Sequence, residues 1–105
     1  MKRHGFEASL AQREKVSGMP CIVTGWGQVD PAHLIDRSLT TVGQDDPRAV
    51  VPIRRDIHRM YDTGTFDLLP YLEPNHREEL AFAVERVGLL ATLRRVTNTR
   101  WAEAA

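Results

Sequence analysis

Apolar positions in this chain fall into short blocks separated by polar turns, and the spacing within each block predicts its element. Ser9, Leu10 and Val16 among charged residues predict a short first helix over 9–16, with Ser9 as its cap. Cys21-Ile22-Val23 reads as a brief extended piece running into a reversal at Gly25 and Gly27, and 28–34 as a second extended piece. Residues 35–48 carry Asp, Ser, Thr, Gly and Pro with little periodicity, which predicts a long loop of the kind that carries function. Residues 49–53 are β-branched and apolar and predict a strand, with Pro52 at a sheet edge or strand end.

A helical composition follows over 54–61 and is closed by Asp62-Thr63-Gly64-Thr65, with Gly64 as the stop. The apolar linker over 67–74 is broken by Pro70 and Pro74, after which Asn75 is placed to cap a helix carrying Glu78 and Glu79 in its first turn. Leu80, Ala83, Val84 and Val87 form one helical stripe, Gly88 interrupts it, and Leu89, Leu90, Leu93 and Val96 predict a last segment ending near Thr97-Asn98. The expected class is α+β: an arm or short helix over 1–19, a core over 20–72 and a helical extension over 73–105.

The chain has 105 residues, 42% of them hydrophobic and 27% charged, which suits one folded domain with a modest core. Fourteen Lys and Arg balance fourteen Asp and Glu, so attraction to a polyanion must come from local clustering rather than net charge. Two such clusters stand out: Arg54, Arg55 and Arg59, and Arg94, Arg95 and Arg100. Each cluster taken alone is as well explained by solvated helix faces. No apolar run reaches the roughly 18 residues of a membrane span, and the N-terminus lacks the apolar core of a secretory signal, so a cytoplasmic protein with no membrane partner is expected. A lone Cys21 gives neither an internal disulfide nor a four-ligand zinc site.

The order strand, His33, loop, strand, helix bearing His58 is where candidate chemistry enters. Hydrolysing a phosphodiester needs a base for water and a group to absorb developing negative charge, and two histidines on facing elements meet part of that need compactly. Three phrases, CIVTGWGQVDPAHLIDRS, DDPRAVVPI and RRDIHRMYDTGTFDLLPYLEP, together resemble the HNH endonucleases, the His-Me finger or ββα-metal nucleases of bacteria and phages, across about Cys21 to Tyr71.

The resemblance implies a β-hairpin packed on a helix, with His33 as the general base and His58 as a metal ligand. Its activity would be metal-dependent cutting or nicking of DNA, with one divalent cation, Mg²⁺ or Mn²⁺, as cofactor. The residue before the base, often a ligand in that family, is Ala32; Asp30, two residues back on the same strand face, is the substitute candidate. Asp62, four residues after His58 on one helix face, is a second candidate ligand. The family's middle asparagine falls at Ala49, so the bracing of the loop is expected from Asp45 or Asp46. Of the cysteines that staple many relatives with zinc, only Cys21 remains; Thr24, Arg54 and Ile57 occupy the other places, so no structural zinc is expected and packing of Ile22, Val51, Ile53 and Ile57 takes over.

Arg37 is a candidate for the scissile phosphate, against a salt bridge to Asp36 or Asp46. Arg54, Arg55 and Arg59 are candidates for gripping a nucleic-acid backbone. Trp26 and Trp101 are expected to pack, and His76 to sit at a capping or surface position. Two other readings stand beside the nuclease: a catalytically inactive relative that binds DNA or a protein partner, and a structural domain whose histidines are incidental.

Overall fold

A computed structural model of the chain describes residues 8–72 and 75–98. Its first helix, α1 (Leu10–Val16), begins with a capping box in which the Ser9 hydroxyl accepts from the Gln12 N–H and the Gln12 side chain accepts from the Ser9 N–H. Two strands, β1 (Val29–His33) and β2 (Val50–Arg54), pair antiparallel with Val29 opposite Arg54 and His33 opposite Val50. Helix α2 (Arg55–Asp62) follows β2 directly, and α3 (Arg77–Val87) and α4 (Leu89–Thr97) come after it. The architecture is α+β: one antiparallel strand pair and four α-helices among the described residues.

Pro31 stands directly opposite Pro52 in this pair. Two prolines are tolerated there because the Pro52 carbonyl points away from β1, accepting from the Ile22 N–H at 3.0 Å, so this position owes β1 no N–H. The same fact overturns the expected strand at Cys21–Val23. Pro52 offers the outer edge of β2 a carbonyl but no N–H in return, and residues 22–25 form turns instead, closed by the Gly25 N–H on the Cys21 carbonyl at 2.8 Å.

Val51, Ile53, Ile57, Tyr61 and Ala32 from the strand pair and α2, with Leu34 and Ile35 just after β1, share one core with Leu68, Leu72, Phe82, Ala83 and Val96. The C-terminal helices therefore complete the core rather than append to it. Ile22 packs on its rim, only partly buried. Lys15 ties α1 to the rest, donating to the Pro47 and Val50 carbonyls and pairing with Glu79 at 2.7 Å.

Gly88, at φ 94°, separates α3 from α4, and Asn98 ends α4 in the left-handed region. The cap of α3 moves from Asn75 to His76, without a side-chain cap bond. His76 is buried, not at the surface, with Nδ1 3.5 Å from Glu79. Its backbone N–H is taken by the Leu72 carbonyl, which carries the chain one residue further before the helix starts. No described helix is long and apolar enough to cross a membrane.

Candidate functional site

His33 ends β1, with its side chain 7% exposed. Its Nε2 lies 2.9 Å from the Gln44 carbonyl. A carbonyl only accepts, so Nε2 carries the proton and a neutral ring keeps its lone pair on Nδ1. Burial lowers the His33 pKa from 6.5 to about 4; the Gln44 bond opposes this, and Arg37, Arg95 and His58 add to it. His33 is therefore neutral at pH 7.

The His33 backbone is held as firmly as its ring. Its carbonyl accepts from the Tyr61 hydroxyl at 2.7 Å and from Nε and Nη2 of Arg95, each at 3.2 Å. Arg95 also stacks over the Tyr61 ring, 4.4 Å from its centroid. Gln44 in turn braces the long loop, its side-chain amide donating to the Thr40 and Ile35 carbonyls at 3.1 and 3.3 Å. The Gln12 amide from α1 reaches the Gln44 and Asp46 carbonyls at 2.6 and 2.9 Å, so one carbonyl receives both His33 and Gln12.

Loop bracing comes from Gln44 and Gln12 together with Asp46, one of the two expected aspartates, whose carboxylate caps the short turn of Pro47–Ala49 by accepting from the Arg48 N–H and also meets the Arg48 guanidinium. Gln44 lies in an aperiodic loop, and Tyr61 and Arg95 are 28 and 62 residues from His33, so no local pattern marks them.

From α2, His58 comes to stand between two carboxylates. Its Nδ1 lies 3.5 Å from Asp30 on β1 and its Nε2 3.2 Å from Asp62 one turn further along the helix. Burial disfavours the charged ring, but Asp62 and then Asp30 outweigh it, and the His58 pKa is raised. Asp62 moves the other way: burial would raise it, yet His58 and Arg95 hold it low. Arg95 pairs with Asp62 at 3.1 Å and Arg55 with Asp30 at 3.2 Å.

All three candidate ligands are thus brought together, but Asp30 and Asp62 flank opposite nitrogens of the ring. Among the described residues no three His, Cys, Asp or Glu side chains could hold a metal together. The donor chemistry suits a looser site. Neighbouring ligands of a hard octahedral ion at about 2.1 Å stand about 3 Å apart, near the 3.2 Å between His58 Nε2 and Asp62. A carboxylate on the other nitrogen, as Asp30 provides, is how proteins orient a ligating histidine. His58 and Asp62 are therefore the two side chains here that could act as donors to such an ion, each also engaged with a charged neighbour, Asp30 and Arg95 respectively.

Arg37 is half-buried, and its pKa is lowered by burial and by the neighbouring charge of Arg95. The carboxylate of Asp36 accepts from Ser38, through both its N–H and its hydroxyl. Arg54 pairs with Asp56 at 2.7 Å, Arg55 with Asp30, and Arg59 is exposed on the same face of α2 as Arg55.

At the expected zinc positions, the Cys21 sulfur accepts from the N–H groups of Arg54 and Thr24 at 3.2 and 3.5 Å. The Thr24 hydroxyl turns to the Trp26 carbonyl, and Ile57 lies in the core. Trp26 does not pack as expected: it is 65% exposed. Trp101 and Arg100 lie outside the described residues. Compared with known proteins, the chain matches no family model, no curated protein and no solved structure.

Proposed function

We propose that this chain is a nuclease of the HNH type that cuts or nicks DNA, with β1, β2 and α2 as its ββα-metal finger. One observation carries the reading: a neutral histidine, fixed at ring and backbone, stands at the end of β1 within electrostatic reach of a carboxylate-flanked histidine on α2. That is a base and a charge-bearing group on two rigid elements, as hydrolysis of a phosphodiester requires.

In this reading His33 Nδ1 accepts the proton of the attacking water, and the bond from Nε2 to Gln44 steadies the imidazolium that forms. The oxygen of that water bonds to phosphorus as the bond to the leaving oxygen breaks. A pKa of about 4 keeps the base unprotonated at neutral pH but weak, and the phosphate's negative charge strengthens it on binding. Arg37 pairs with the phosphate. His58 and Asp62, with Asp30 orienting His58, would hold a divalent cation, which would supply charge neutralisation to the reaction.

A second reading, a catalytically inactive DNA-binding relative, is favoured by the ion pair of Arg95 to Asp62, which places a cation beside one of only two donors. Cleavage of supercoiled plasmid in Mg²⁺, Mn²⁺ or EDTA separates the two. The nuclease reading expects metal-dependent nicking that His33→Ala and His58→Ala abolish. DNA binding without nicking under any metal would leave the second reading.

A further inference from the structure

Trp26 is the largest aromatic surface left open on the described molecule, and its exposure is held in place. The Thr24 hydroxyl accepts from the Trp26 N–H at 3.3 Å and donates to its carbonyl at 2.8 Å, pinning the turn. One ring face is covered by the Arg54 guanidinium, 4.4 Å from the ring, and Asp56 clamps that guanidinium in turn with bonds of 2.7 and 2.9 Å. Gly27 makes this possible, because a Cβ there would fall 2.7 Å from Arg54 Cδ. The indole is thus backed on one face and largely open to solvent elsewhere.

Beside it lies a shallow depression of about 420 Å³ lined by Gly27, Gln28, Arg54, Arg55, Asp56 and Arg59. The Asp56 carboxylate is neutralised by Arg54, and Arg59 makes no ion pair among the described residues. Arg55 reaches from this depression to Asp30, which meets His58, so the aromatic surface and the candidate site are continuous.

We infer that Trp26 is a stacking platform for one unpaired nucleotide base, with Arg55 and Arg59 holding the phosphates on either side of it. This rests on the nucleic-acid reading above and specifies it: the strand taken up near the site is single or locally unpaired. A rigid aromatic face beside arginines is the chemistry that binds single strands without regard to sequence, whereas a duplex hides its base faces.

The test uses a labelled single-stranded oligonucleotide and a duplex of the same sequence, followed by fluorescence anisotropy with the natural chain, Trp26→Ala and Arg59→Ala. Trp26→Ala is expected to weaken single-strand binding about five- to a hundredfold and duplex binding no more than about twofold. In a Trp101→Phe background, where Trp26 is the remaining indole of two, single-strand binding is expected to quench its emission. Circular dichroism melts confirm that the variants fold. Single-strand binding that Trp26→Ala leaves unchanged, with no quenching, overturns the platform while the nucleic-acid reading stands. Absence of binding to either DNA overturns both.

Discussion

The burial of His33 makes a quantitative claim about stability and pH. Its pKa falls from 6.5 in the unfolded chain to about 4 in the fold, so between these values the unfolded chain takes up a proton that the folded chain refuses. Stability must therefore fall as pH falls from 6.5 to 4, by about 3 kcal/mol in total at 1.36 kcal/mol for each tenfold change in proton affinity. That is a substantial share of the 5–15 kcal/mol, roughly, that holds a small domain.

His58 does not contribute in this window. Its folded pKa is raised, so its stabilisation is fully present below 6.5 and is lost only as pH rises through the folded value. The lowered carboxylates Asp36, Asp62 and Glu79 act further down, losing their contribution as pH falls below their ordinary range of about 4. Urea unfolding at intervals from pH 7.5 to 4, for the natural chain and for His33→Asn, isolates the effect. The variant loses packing at every pH, but the part of the slope due to His33 disappears, and the two curves converge by about 3 kcal/mol on acidification. Parallel curves, or a His33 ring proton titrating near 6.5 by NMR, would refute the reasoning.

Three other outcomes follow from the contacts. Gln44→Ala leaves the Ile35 and Thr40 carbonyls without its amide, costs about 1–3 kcal/mol, and exposes the loop over 36–43 to limited proteolysis while helical circular dichroism persists. Gly27→Ala, which adds a clash with Arg54 to a φ of 94°, destabilises more than Gly25→Ala, which meets only the backbone penalty of about 1–2 kcal/mol at φ 80°; equal urea midpoints would remove Arg54 from the account. In a His58→Ala background, which removes the proposed cation site, the thermal midpoint is expected to be the same in EDTA and in added zinc, since Thr24 and Ile57 offer no ligand and Cys21 already accepts two backbone bonds; a drop in EDTA there would mean a structural metal.

Local patterning made most elements readable. Ser9, the β-branched run before Arg54, and the glycines at 64 and 88 each act through bonds within a few residues, and the elements lie within one or two positions of where those signals put them. The failures have a common physical origin. Cys21–Val23 has strand composition, but whether it pairs depends on the edge it meets, and that edge presents Pro52. Asn75 is a good cap in isolation, yet the chain turns once more on the Leu72 carbonyl before α3 begins. Trp26 carries a large apolar ring, but pinned at the tip of a glycine-flanked turn it faces outward.

By itself the sequence determined the α+β class and most of the order of elements, because each follows from spacing along the chain; the family resemblance is what singled out His33 and His58. Asp62 beside His58 also follows from the helical repeat; which other groups surround those histidines was decided by tertiary structure. Arg95 comes to the His33 carbonyl from the last helix, Gln12 to the Gln44 carbonyl from the first, and Asp30 to His58 across the strand-helix contact. Those approaches depend on how α1 and α4 seat on a core shared by the whole described chain. The direction in which each histidine's proton affinity moves is a property of that burial and those neighbours, and no spacing in the sequence encodes it.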